Sequence, residues 1–125
     1  MKKIHSTNKA PAAIGPYSQA VSHNGILYCS GQIPLDPQTM EVVGATAAEQ
    51  TKQVMENLGE VLKEAGSDYS KVLKCSIFLD NMEDFTSINE VYAGYFESDP
   101  PARETVAVKT LPKNVLIEIG CIATI

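Results

Sequence analysis

Histidine is scarce in this chain of 125 residues: only His5 and His23 occur, and neither stands at a spacing that could serve a metal ion. The three cysteines, Cys29, Cys75 and Cys121, are widely separated and form no CxxC pair. An odd number of isolated cysteines inside apolar runs argues for reduced thiols in a cytosol-like compartment, with burial the simple expectation and regulation by oxidation left open. No apolar run approaches the ~20 residues of a membrane span, so no membrane partner is expected. The start, Met1-Lys2-Lys3-Ile4-His5-Ser6, lacks the apolar core of a secretory signal. Cytoplasm is the simple expectation, with the mitochondrial matrix left open. A basic cluster is also missing. Ten Lys and Arg are scattered against fifteen Asp and Glu, for a net charge of -5. Proteins that grip many phosphates need a basic face, which makes nucleic acid a disfavoured partner.

What the chain does contain is 44% hydrophobic and 20% charged residues, the balance of one globular domain spanning 1–125. At this length roughly two-thirds of the unfolded surface is buried on folding, enough for one core without staples. The segment Asn8–Tyr17, with two prolines and a glycine, reads as an ordered loop leading into a strand from about Tyr17 to Ser22. His23-Asn24-Gly25 carries the Asn-Gly turn signal, so a hairpin to Ile26–Ser30 is expected. Gly31 ends that strand and a proline-broken loop follows. Thr46-Ala47-Ala48-Glu49 fits a capping box, after which Val54, Leu58, Val61, Leu62 and Ala65 form one helical stripe that Gly66 stops.

Val72–Leu79 reads as a strand with Leu73, Cys75, Ile77 and Leu79 on one face and a mixed set, Val72, Lys74, Ser76 and Phe78, on the other. A second helix begins near Met82 to Asp84, with Phe85, Ile88, Tyr92, Tyr95 and Phe96 as its stripe. At helical spacing that aromatic set is core. The last strand, Val115–Ile125, has an unbroken apolar face at its odd positions. Strands arriving in pairs around two helices suggest an α+β sandwich, one sheet with both helices on one face. The mixed opposite face is expected to be wet or covered by partners.

Two side chains stand out. Pro100-Pro101 rules out helix and brings the chain extended to Arg103, rooted where a stiff loop meets the strand Thr105–Val108. A guanidinium held there suits a carboxylate or phosphate, although a plain surface arginine is the commoner meaning of such a segment alone. Glu118 lies between Leu116 and Gly120 in the most apolar stretch of the chain. Either that face is wet and Glu118 is solvated, or the carboxylate is buried and costly unless paired. A hairpin from Thr105–Val108 to Leu116–Ile119 is expected to bring Arg103 and Glu118 into one neighbourhood. Ser30-Gly31 reads as a strand end, with glycine also allowing close approach of a ligand or another strand.

Four separated stretches, Ala12–Ala20, Ser30–Pro37, Pro101-Ala102-Arg103 and Leu111-Pro112-Lys113 to Ile117-Glu118-Ile119, closely resemble the reactive intermediate deaminase (RidA/YjgF) family over essentially the whole chain. The resemblance implies a chorismate-mutase-like α+β fold with a mixed sheet, assembled as a homotrimer with a central β-barrel, helices outside and sites between subunits. It implies hydrolysis of enamines and imines such as 2-aminoacrylate, released by pyridoxal-phosphate enzymes, to 2-oxo acids and ammonium, with no cofactor and no metal. The residues matching the family pattern are Arg103 as carboxylate clamp and Glu118 as holder of the attacking water. Ser30, Gly31 and Tyr17 would be pocket walls, Asn89 a pocket-rim asparagine and Thr105 a substrate contact. Thr105 stands where many members have cysteine, and Gly120 where many have a second glutamate. Two rival readings accompany the family: an endoribonuclease acting on single-stranded RNA, and a non-catalytic small-ligand-binding or chaperone-like trimer.

Overall fold

Alternation of Ile117, Ile119, Cys121 and Ala123 with Glu118, Gly120, Ile122 and Thr124 makes Ile117–Thr124 a strand with one buried and one half-open face. That strand is the centre of the molecule. A computed structural model describes all of residues 1–125. Its strands are β1 (Lys3–His5), β2 (Ala20–His23), β3 (Ile26–Gln32), β4 (Val72–Leu79), β5 (Ala102–Ala107) and β6 (Ile117–Thr124), with helices α1 (Ala47–Glu64) and α2 (Phe85–Ala93). The strands form one mixed sheet in the order β1-β2-β3-β6-β4-β5, antiparallel except for β4 and β5. Both helices pack on one face, where Val54, Leu58, Leu62 and Ile88 meet Leu27, Cys75, Ile77, Ile117 and Ile119 in a single core. The α+β sandwich expected from element order is what forms.

Local chemistry explains the elements. Asn24 (φ 51°) and Gly25 (φ 78°) both take left-handed backbone, the two-residue turn that matches strand twist, and His23 pairs with Ile26. Helix α1 starts where the Thr46 hydroxyl accepts from the Glu49 amide at 3.2 Å and donates to the Glu49 carboxylate at 2.9 Å. It ends as Gly66, at φ 83°, lets the Ser67 and Gly66 amides reach the Leu62 and Lys63 carbonyls.

Strand β1 adds to the expected set, its three residues being too few to carry a readable period. Three expectations are corrected. Strand β2 starts at Ala20 rather than Tyr17, because the preceding residues are committed elsewhere: the Gln19 side chain bonds to Thr7 and Pro11, and the Ser18 and Gln19 carbonyls are taken by Ser30. In β4 a register shift between Val72 and Lys74 puts Val72 in the core and turns Leu73 outward, 49% exposed. Finally, no hairpin joins β5 to β6. The α2 crossover returns β5 parallel to β4 on the outer edge, and β6 inserts on the other side of β4, beside β3.

Candidate active site

Glu118 projects from β6 on the face that the helices leave open. Its cross-strand partner there is Phe78, and with Tyr28, Gly31, Ser76, Gly120 and Ile122 it lines a shallow cleft of about 290 Å³. Opposite, β3 is irregular between Cys29 and Gln32, the interval that holds Ser30 and Gly31. The irregularity makes room for the carboxylate: a Cβ on Gly31 would stand 2.6 Å from Glu118 Oε2 and 2.9 Å from its Cδ. Only glycine allows this approach. Glu118 joins no ion pair, since the sole ion pair of the molecule links Lys74 to Glu104 at 2.9 Å. Loss of hydration in its half-buried position raises the Glu118 pKa above the ordinary 4.5. The carboxylate is thus poised to take a proton with no fixed cation to hold it charged.

Ser30 is a brace as well as a wall. Its hydroxyl donates to the Ser18 carbonyl at 2.6 Å, fastening the segment that carries Tyr17 to β3. Tyr17, 53% exposed, and Gly31 border a second cleft of about 350 Å³ with Ile14, Ile33, Met40 and Lys113. Lys113 and Asn114, at φ 55° and 54°, turn there in left-handed backbone, which is uncommon for residues with a side chain. Gln19, which pins the 7–11 loop beneath, was not singled out from sequence. Its signal would have been a buried amide beside proline-rich backbone that offers carbonyls and few donors.

Arg103 belongs to the other face. In register it stands opposite Cys75 and, one strand further, Cys121, whereas Glu118 stands opposite Phe78 and Val106. The two backbones are therefore roughly 14 Å apart, from two strand spacings and three residues, and their side chains leave the sheet in opposite directions. Within one chain the expected meeting does not occur. The guanidinium carbon lies 5.4 Å from the Phe85 ring centre and 5.1 Å from that of Tyr92. These aromatic faces hold the charge without neutralising it. Arg103 shares a cleft of about 340 Å³ with Asn89, Tyr92, Ala93, Pro100 and Pro101, so the structure does bring Asn89 to it. Thr105, two residues along β5, has a buried hydroxyl with no partner, as does Tyr92. The Tyr92 hydroxyl faces the Cys75 thiol outside normal hydrogen-bond geometry, and burial followed by that thiol raises its pKa. The aromatic stripe of α2 is thus core along one edge and a shelf for Arg103 along another, a double use that periodicity alone does not reveal.

A mixed sheet backed by two helices, with an unpaired acid on its open face and an unpaired arginine at its edge, defines a class of small α+β proteins. A protein-family model described as Endoribonuclease L-PSP matches residues 7–125. The chain belongs to that family, RidA/YjgF. Reactive Intermediate Deaminase A, chloroplastic, of Arabidopsis thaliana is 49% identical over 124 residues, 99% of this chain and 66% of that protein. The 2-iminobutanoate/2-iminopropanoate deaminase of Mus musculus is 46% identical over 123 residues, 98% of this chain and 91% of its own. Among solved structures, YyfA of the Rid protein family from Yersinia pestis superposes with a TM-score of 0.98 at 46% identity over 100% of both chains. E. coli TdcF with bound serine gives 0.94 at 39% identity, over 98% of each chain.

Proposed function

We propose that the protein is an enamine/imine deaminase, hydrolysing 2-iminobutanoate and 2-iminopropanoate to the 2-oxo acids and ammonium, as a homotrimer with its sites between subunits. The observation that carries this reading is the pair of unpaired groups on opposite faces: Arg103 held by rings with no acid, and Glu118 in a shallow cleft whose one cation, Lys74, is paired with Glu104 instead. Each is what the other half of a carboxylate-binding hydrolytic site lacks. The name of the mouse relative, 2-iminobutanoate/2-iminopropanoate deaminase, supports the substrate class.

The chemistry follows from the groups. Arg103 grips the substrate carboxylate through two parallel hydrogen bonds, with Asn89 and Thr105 along the same wall. An enamine first takes a proton at C3 to become the iminium ion, the protonated imine. The Glu118 carboxylate then accepts a proton from a water as that water's oxygen bonds to C2. The imine π electrons move onto nitrogen, and the same acid, now protonated, returns its proton to the amine. Ammonia departs as the Glu118 carboxylate takes the C2–OH proton, leaving the 2-oxo acid, and the released ammonia takes up that proton as ammonium. Iminium carbon is electrophilic, so positioning and one proton carrier suffice and no nucleophilic side chain is required. The raised pKa of Glu118 suits a group that must both take and return a proton.

The deciding experiment couples the protein to a threonine dehydratase with semicarbazide present to trap the imine. The protein is expected to divert imine from semicarbazone to 2-oxobutyrate. Arg103→Ala is expected to lose at least ~100-fold in kcat/KM, the worth of a charge-assisted carboxylate contact. Equal diversion by wild type and Arg103→Ala would defeat the reading. RNA cleavage by nuclease-free preparations, abolished in Arg103→Ala, would put the endoribonuclease in its place.

A further inference from the structure

One row of residues crosses the whole sheet on its helix side. In register it runs His5, Ala20, Cys29, Cys121, Cys75 and Arg103, one residue from each strand. All three cysteines of the chain fall in this row, on three adjacent strands, although the sequence separates them widely. Arg103 at the end of the row has its place in the chemistry above, but neither proposed half-site uses a thiol, so the three cysteines have none.

A row is not a cage. No group of three or more His, Cys, Asp or Glu side chains is arranged to hold a metal ion. What a row of facing thiols can do is pair. Directly opposed residues of antiparallel strands have Cα atoms about 4.5 or 5.5 Å apart. Both values fall inside the ~4.4–6.8 Å that a disulfide spans. Cys121 faces a cysteine on each side, and the two neighbours differ. Cys75 is buried, facing the Tyr92 hydroxyl. Cys29 is half-buried and sits where β3 becomes irregular, the most accessible of the three and the thiol an oxidant meets first. The neighbouring Cys29 thiol and burial both push the Cys121 thiol's pKa up.

We propose that Cys29 and Cys121 form a reversible cross-strand disulfide when the protein meets a peroxide-class oxidant. The Cys29 thiolate attacks one peroxide oxygen, breaking the O–O bond, and becomes a sulfenic acid as hydroxide leaves. The Cys121 thiol then gives up its proton as its sulfur attacks the Cys29 sulfur, breaking the S–O bond, and a second hydroxide departs. The two thiol protons convert the two hydroxides to water. Two thiols and one peroxide thus give one disulfide and two waters, with two electrons passing from sulfur to oxygen. The new bond ties β3 to β6 beside Ser30-Gly31, the stretch against which Glu118 rests. It closes a loop of about ninety residues, a span long enough to constrain the unfolded chain strongly.

The inference stands apart from the deaminase reading, because its readouts are a mass and a melting temperature. Reduced full-length protein is treated with hydrogen peroxide in native buffer, and remaining thiols are alkylated after denaturation. Before alkylation the intact mass is expected to fall by about 2 Da, reversibly with dithiothreitol. After alkylation Cys75 alone carries the label, and the Cys29 and Cys121 peptides are linked. The oxidised form is expected to melt about 10 °C higher. Cys75→Ser is expected to leave the link intact. In Cys121→Ser a sulfenic acid at Cys29, about 16 Da heavier, is expected to persist long enough for dimedone to trap it. Three alkylated cysteines after peroxide, a link that includes Cys75, or a link between chains would each overturn the proposal. Wild-type mapping decides it even where a variant does not fold.

Discussion

Glu118 shows how one side chain can be unreadable in sequence and plain in structure. Its neighbours Leu116 and Gly120 were compatible with a wet face or a dry one. The answer lay in Gly31, eighty-odd residues away in sequence and invisible to any local pattern. Gly31→Ala should push the carboxylate aside: kcat is expected to fall ~100-fold, as for a reacting group misplaced by about 1 Å, while the melting temperature changes little. Steady-state kinetics beside a thermal melt checks this. Glu118→Gln should lower kcat ~100-fold or more with KM nearly unchanged, the loss of a proton carrier rather than of binding. The acid limb of the wild-type rate profile is expected to lie above the ordinary carboxylate value of 4.5, and to vanish in Glu118→Gln. The same shift has a sign for stability. Between the unfolded and the raised folded pKa, the folded chain holds a proton that the unfolded chain has released. Stability contributed by this group therefore falls as pH rises through that window. Glu118→Gln should stabilise the protein at neutral pH and make no difference below the window, as thermal melts across pH would reveal.

At the scale of elements, what could be read was what local chemistry dictates. The Asn24-Gly25 turn, the Thr46 cap and the Gly66 stop each act within a few residues, and all three stand as expected. Thr46→Ala should cost about 1 kcal/mol, the usual worth of a side-chain cap, measured by urea unfolding. What could not be read was which strand lies beside which. Strand β5 looked like the partner of β6 because the two follow one another, but a crossover through α2 sends β5 outside β4. The outward turn of Leu73 was equally hidden, since a bulge adds a residue without a mark in the period. Ile119, fully buried and paired with both Gln32 and Ile77, holds the two neighbours of β6 together. Ile119→Ala is expected to cost about 2–5 kcal/mol in the same measurement.

For the whole molecule the central expectation is that one chain is half a site. Light scattering should give a mass near three times 13.5 kDa. A sharper measurement mixes two dead variants. Arg103→Ala keeps a working Glu118, and Glu118→Gln keeps a working Arg103. Unfolded together and refolded as mixed trimers, they should recover activity at about a quarter of the interfaces, whereas each alone stays inactive. Recovery fails if each chain holds a complete site. Strand order has one more consequence, for how the molecule comes to exist. The β2–β3 hairpin and helix α1 can form from neighbouring residues, but the middle place in the sheet waits for β6, the strand latest in sequence. Until it arrives, β1-β2-β3 and β4-β5 are separate ribbons with open edges. Closing the gap couples positions about ninety residues apart, so refolding should be slow for this length, in the millisecond-to-second range of non-local topologies. A chain cut short before Ile117 should collapse without ever becoming this protein.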